Sequence, residues 1–485
     1  MSSVPAPRLS RTPLIVAGML AAATLLVFAP GYAQYDTVAQ FNQVLSGQID
    51  DWHPPVMVWM WAWLHPLAAG AAPMFTTQVL LYWTGLGLIA AALHGNLRRA
   101  GVLALGASPL FLGWQVVVLK DAQMIAAAVA AFAIVAAFQL RGRPVPLLAA
   151  AIAVPLFLYA LLLRANAVFA LAPLIAALLP TGGIVRRAAV AIAVIAAVLA
   201  TSGAVNHRLL GASASGVEKT QPLFDLAGIA ARSDAAASTG LSPDAVAQLR
   251  ERHCLSPFFW DPLGEPARCA GVMAPLRALP GGRLYVRLAG AVLHHPIAYA
   301  EQRLSHWNMT ERWLVPAGLT GTAPPAGNEP NDLGLMSPGH LAAQWQRVAA
   351  VVAETPLGWP IAWLAAAVVL VATIAAAPEV VADDRTRRRL ALGLLASAIA
   401  LEASFLVVSI ASDLRYHLWP MLATGLAALV APRIENSRRA VAIAGVTALI
   451  IVLPGVFARA MLAHAPASYQ AMLAWDAGAL ALLRD

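Results

Sequence analysis

Apolar runs of about 20 residues recur along most of this chain, each long enough to cross a bilayer core as a helix, and short arginine clusters separate them. Only a helix or a closed barrel satisfies its own backbone in lipid, so this pattern selects an all-α polytopic membrane protein and removes soluble α/β folds. Composition agrees: 60% of the residues are hydrophobic and 12% charged, too little polar surface to cover a globule of 485 residues.

The arginines give the topology. Cytoplasmic loops carry the excess of Lys and Arg. One arrangement puts Arg98 and Arg99, Arg141 and Arg143, Arg186 and Arg187, the run Arg385 to Arg389, and Arg433 with Arg438 and Arg439 on a single side. It uses about eleven helices, near residues 13–33, 75–96, 101–119, 122–140, 145–163, 165–181, 187–206, 357–377, 390–411, 414–432 and 439–458, with a cytoplasmic N-terminus and an external C-terminal tail. Arg8 and Arg11 before the first apolar run resemble a signal peptide; a retained first helix is the better reading, because every later cluster then falls correctly. The net charge of +8 comes from these loop clusters and not from one basic face, so nucleic acid is not a partner. The abundance of Ala, Arg and Pro over Lys fits a high-GC bacterial coding bias, and hence a bacterial inner membrane.

The arrangement requires residues 54–67 not to cross. That stretch is short, and Trp59, Trp61 and Trp63 among Val and Met read as an interfacial helix at headgroup level. Before it, Val38, Phe41, Val44 and Leu45 have helical spacing and Gly47 stops the turn. The chain therefore divides into an N-terminal membrane module, residues 1–206, whose first external loop spans 34–74; an external domain, 207–356; and C-terminal membrane helices with a tail, 357–485. The external segment is too long for a structureless connection. Residues 283–307 should hold at least one helix. Its two cysteines, Cys254 and Cys269, are the only ones in the chain and read as a disulfide of an oxidising compartment, with on the order of 3 kcal/mol of ordering.

Polar residues gather at the external ends: Asp36, Gln40, Asp50, Asp51 and His53 in the first loop, then Lys120 and Asp121, Arg164 and Asn166, and Asp413, Arg415, Tyr416 and His417. Charges at such depths are costly unless paired or wet, so their recurrence on one face marks a site. A carboxylate there can act as general base toward a hydroxyl while Lys or Arg stabilises a departing phosphate. Structural roles compete: Asp36 as a helix N-cap, Asp50 and Asp51 as turn residues, His53 as a brace before Pro54 and Pro55, Lys120 and Asp121 as a snorkelling pair, Arg164 and Arg415 as interface anchors. His294 and His295 lack metal-ligand spacing.

In its first loop the chain resembles the GT-C superfamily of membrane glycosyltransferases. Asp36 follows the first membrane helix, then come an amphipathic helix and Asp51-Trp52-His53-Pro54-Pro55 with an aromatic apolar stretch. The nearest likeness is to the protein O-mannosyltransferase and aminoarabinose-transferase branch, where His-Pro-Pro-Leu or Lys-Pro-Pro-Leu follows an acidic loop; Val56 stands in the Leu position. Lys120-Asp121, Arg164-Ala165-Asn166 and Arg415-Tyr416 extend the likeness. It implies inverting transfer of a sugar from a polyprenyl-phosphate carrier to an envelope glycolipid, polysaccharide or protein on the periplasmic face. Asp36 would be the acceptor-activating base, and Lys120, Arg164 or Arg415 would contact donor phosphate. The branch often has an Asp-Glu pair where this chain has Tyr35-Asp36-Thr37, so Asp51 is expected to share or replace the role. Some members bind a divalent metal at their acidic site; no other cofactor is implied. The alternatives are a transporter or lipid-linked-sugar flippase, against which the absence of an internal repeat counts, and an envelope assembly protein.

Overall fold

The computed structural model describes residues 9–179, 182–233, 235–376, 382–432 and 437–475. Arg8, Arg433 and the tail from 476 onward, all part of the topology argument, lie outside the described residues, as does the end of the helix expected at 357–377. Among the described residues the chain is helical, with isolated bridges and no strand.

The first half contains α1 (Arg11–Phe28), α2 (Tyr35–Ser46), α3 (Pro55–Leu64), α4 (Ala72–Ala92), α5 (Asn96–Gly106), α6 (Pro109–Gln115), α7 (Lys120–Gln139), α8 (Leu147–Leu162), α9 (Ala167–Leu178) and α10 (Ile184–Ala204). Among the described residues, eight α-helices lie in 207–356: α11 (Thr220–Arg232), α12 (Ala236–Thr239), α13 (Pro243–Glu251), α14 (Asp261–Gly264), α15 (Ala274–Arg277), α16 (Gly281–His294), α17 (Pro296–Glu311) and α18 (His340–Glu354). The chain closes with α19 (Pro360–Ala376), α20 (Ala382–Val408), α21 (Leu418–Val430), α22 (Ser437–Met461) and α23 (Tyr469–Leu473).

Among the described residues, six helices are long and apolar enough to cross a membrane: α1, α4, α7, α10 with its extension to Leu209, α20 from Asp384, and α22 from Ala442. Three shorter apolar helices, α8, α9 and α19, accompany them. Several apolar helices of this kind fit a multi-pass membrane protein. The outer faces supply the reason: α10 buries none of its residues, and Ile184 and Val185 are each 80% exposed. Apolar surface on that scale needs an apolar solvent.

Inside the bundle α7 packs against α4 and α8, and α20 against α9 and α21. Gly85 brings α4 close to α7, where an added Cβ would meet the Ala130 nitrogen at 2.8 Å. A small residue at the crossing lets the backbones approach, the usual means of helix association in lipid.

One sequence expectation changes. The single helix foreseen at 101–119 is two, α5 and α6, because Pro109 has no N–H to continue the ladder and Ser108 before it is extended (φ −59°, ψ 144°). Residues 283–307, expected to hold at least one helix, carry parts of two, α16 and α17, which meet at His295 and Pro296. The stop at Gly47 holds: it adopts a left-handed conformation (φ 70°) and its N–H caps the Gln43 carbonyl. At ten residues, about 15 Å, α3 is too short to span a bilayer core, and it leaves Trp59 and Trp63 exposed.

The two ends of the bundle differ. At one end Arg387 meets His94 (3.1 Å) and Arg389 donates to Gln139 at the far end of α7 (2.9 Å). The opposite end carries Lys120 at the start of α7 and receives the 207–356 segment. That segment has its own apolar core, built around Phe224, Leu226, Ile229, Leu263 and Met273, with the Cys254–Cys269 disulfide buried in it. It is fastened to the bundle through the 409–414 stretch: Arg303 Nη1 donates to Ser409 O (2.7 Å), Trp260 N to Ile410 O (2.9 Å), and Leu414 N to Gly321 O (3.0 Å).

Candidate active site

Gln34 caps α2, its N–H bonded to Thr37 Oγ1 at 3.0 Å, so Asp36 is the second residue of the helix and its carboxylate is not used for capping. The preceding segment is stitched to the approach to α7. Tyr32 N donates to Val116 O (3.0 Å), Val118 N to Tyr32 O (2.9 Å), and the Thr37 hydroxyl to Val118 O (2.6 Å). These bonds deliver Asp36 to Lys120, Nζ to Oδ2 at 3.2 Å.

From the other side of the bundle, Arg415 reaches the same carboxylate oxygen at 3.0 Å. Arg415 also pairs with Asp413 at 3.1 Å and lies 4.0 Å from Asp121. Asp121 pairs with Arg164, whose Nε donates to Asn166 Oδ1 at 3.0 Å. Tyr416 places its ring against both guanidiniums, 4.2 Å from Arg164 and 5.2 Å from Arg415. Lys120 Nζ completes the group against His53 Nδ1, 3.3 Å away. Lys120, Arg164 and Arg415 thus face Asp36, Asp121 and Asp413, three cations with three carboxylates, in a neutral, largely buried network. The short surface pairs and lipid anchors considered above would not interlock in this way.

Burial alone would raise the pKa of Asp36, but the Arg415 guanidinium and Lys120 ammonium override it and hold the carboxyl well below the usual range. His53 goes the other way from a typical histidine: burial first, then the Lys120 charge, press its pKa down to about 4. At neutral pH it is uncharged and Nδ1 accepts from the ammonium. A folded-state pKa below the unfolded one contributes stability that is complete above about pH 6.5 and is lost as pH falls toward 4. Replacing His53 by Gln therefore removes one acid-sensitive component. The melting-temperature gap between wild type and H53Q should narrow as pH drops from 7 to 4.5, and parallel curves would contradict the assignment.

The network contains Asp36, His53, Lys120, Asp121, Arg164, Asn166, Arg415 and Tyr416 from the sequence expectation. Gln40 lies one turn beyond Asp36 on α2, fully buried, with neither amide atom hydrogen-bonded. Three residues are placed elsewhere. Asp51 accepts from Ser215 N (2.7 Å) and Ser215 Oγ (2.6 Å) and pairs with His207 (3.4 Å), clasping the first loop to the start of the 207–356 segment. Asp50 accepts from Trp52 N at 2.9 Å, the turn role expected of it. His417 points away from its neighbour Tyr416 into the protein, toward Glu402 at 2.6 Å. Adjacent residues on a turn face different ways, and the sequence has no means of saying which faces the site.

A divalent metal on Asp36 does not fit this donor set. The carboxylate oxygen already accepts from two cations, and a third positive charge beside them would be repelled. Comparison with family models, with characterised proteins and with solved structures finds no match to this chain.

Proposed function

We propose that the protein is an integral membrane glycosyltransferase, moving a sugar from a polyprenyl-phosphate carrier to an envelope acceptor by inversion. The observation that carries this reading is the convergence of Lys120, Arg164 and Arg415 on Asp36 and Asp121 at one end of the bundle. In the reaction, an acceptor hydroxyl oxygen attacks the anomeric carbon as the carbon–oxygen bond to phosphate breaks. The bonding pair leaves with the phosphate, whose charge the lysine and arginines neutralise, and the hydroxyl proton passes to Asp36. A base clamped by two cations is a weak base. Donor phosphate competes for those cations, so its arrival loosens them from Asp36 and raises the basicity of the carboxylate in the complex that needs it.

The eleven-helix arrangement belongs to this reading, with the arginine end in the bacterial cytoplasm, the N-terminus beside it, and the Asp36 end in the periplasm. It is supported by the packing of Arg387 and Arg389 at the end of the bundle opposite Lys120, and by a disulfide in the segment assigned to the oxidising side. α3, with its exposed tryptophans, then lies at headgroup level, near where a polyprenyl phosphate presents its charge.

Purified protein incubated with a panel of radiolabelled polyprenyl-phosphate sugars and membrane acceptors should form labelled product. No donor consumption, together with movement of the same lipid across a vesicle bilayer, would replace this reading with a flippase.

A further inference from the structure

We propose that Glu311, Glu402 and His417 form a binding site for one divalent transition-metal cation, buried where the 207–356 segment meets the membrane bundle. The inference is independent of the proposed transfer reaction and concerns a different set of side chains from Asp36 and its partners.

The three residues come from three elements. Glu311 ends α17, Glu402 lies in α20 and His417 ends the turn Leu414–His417. One ligand atom from each lies within 4.8 Å of the others, and all three residues are buried. Neither oxygen of Glu311 nor Oε1 of Glu402 accepts from an N–H or hydroxyl donor, and the two carboxyls face each other within hydrogen-bond reach, although Glu311 is 0% exposed. The adjacent cation does not serve them: Arg312 directs its guanidinium to the Thr322 hydroxyl, Thr320 O and Ser412 O. Two carboxylates facing each other away from water, with the His417 imidazole against Glu402, are a charge problem. A divalent cation beside a neutral imidazole resolves it, since two carboxylates cancel its charge.

The histidine is set for ligation. Its ring packs on Phe405 with centroids 4.7 Å apart, and Nε2 meets Thr310 Oγ1 at 3.1 Å. Where the Thr310 hydroxyl donates to Ala411 O, 3.4 Å away, Nε2 carries the imidazole proton and Nδ1 presents its lone pair to the carboxylates. Outer-shell contacts of this kind fix ring orientation in metal sites. Without metal, the 2.6 Å between His417 Nδ1 and Glu402 Oε2 is that of a pair sharing a proton, which metal entry displaces. Ligand bonds of about 2.0–2.2 Å in tetrahedral geometry put neighbouring donors about 3.4 Å apart, so metal entry opens this pair by under about 1 Å. One imidazole with two carboxylates suits zinc or manganese better than calcium or magnesium, which prefer oxygen alone.

The test uses full-length protein in detergent, without a polyhistidine tag, stripped with chelator, dialysed against micromolar zinc and then against metal-free buffer. Wild type and D36N should each retain about one equivalent of zinc per chain, and E311Q and H417Q less than about a tenth of that. X-ray absorption at the zinc edge of wild type should show an oxygen and nitrogen shell with a single imidazole. Should the two variants fail to fold, that spectrum decides alone. Wild type without stoichiometric zinc, retention by E311Q, or a shell with sulfur or several imidazoles would overturn the site and leave the carboxyls sharing a proton.

Discussion

Asp36→Asn should lower sugar transfer by about a hundredfold or more while the protein still folds, because the amide cannot take the acceptor proton and leaves Lys120, Arg164 and Arg415 with one carboxylate fewer. Asp51→Asn should stay within about tenfold of wild type, since its carboxylate holds Ser215 and His207 and touches none of the cations. Initial rates with labelled donor decide it, with folding followed by size-exclusion profile and melting temperature. The reverse ranking, D51N inactive and D36N active, would move the base to Asp51 and require the first loop to rearrange on substrate binding.

The second large effect is on stability. Asp225 in α11 and Arg303 in α17 form an ion pair inside the 207–356 segment, with 0% and 4% of their side chains exposed. Burial pushes the Asp225 carboxyl up to about 6, and the Arg303 charge and hydrogen bond only partly oppose that shift. Removing one partner leaves the other's charge uncompensated, so Asp225→Leu or Arg303→Met should each cost on the order of 3–5 kcal/mol. The double variant should recover most of the loss, because apolar groups of similar size can replace a buried pair at little cost. Thermal unfolding of the three variants measures this, and a double variant no better than the singles would show that the pair is not the cause.

The apolar runs fixed which parts of the chain become helices, since a segment facing lipid has no other way to satisfy its backbone. They did not show where Pro109 and Pro296 divide a run in two, because neighbouring elements decide whether a proline kinks a helix or ends it. The site was legible where charge stands beside an apolar run, as with Lys120, Arg164 and Arg415. Asp51 and His417 lie outside the charged cluster for one reason: a turn residue can face either side of the backbone. Arg303 pairing with Asp225 had no local signal, being a contact across 78 positions. Glu402 stands in the apolar part of α20, but Glu311 ends a polar helix and looks ordinary until folding brings the two together.

The hydrogen bonds that stitch Tyr32 and Thr37 to Val116 and Val118 have a mechanical consequence. Asp36 and Lys120 ride on one rigid block, so a substrate cannot enter by prising those two apart. Arg415 sits on the facing side, on a turn tied by Leu414 to Gly321 and at Ser412 to Arg312. The 207–356 segment is tied to that turn and also to the first loop, by Asp51 to Ser215 and by Glu329 N to Ala33 O, so it bridges the two sides of the cluster. On the proposed reading, an acceptor bound to that segment is linked through it to Asp36 on one side and Arg415 on the other without touching either.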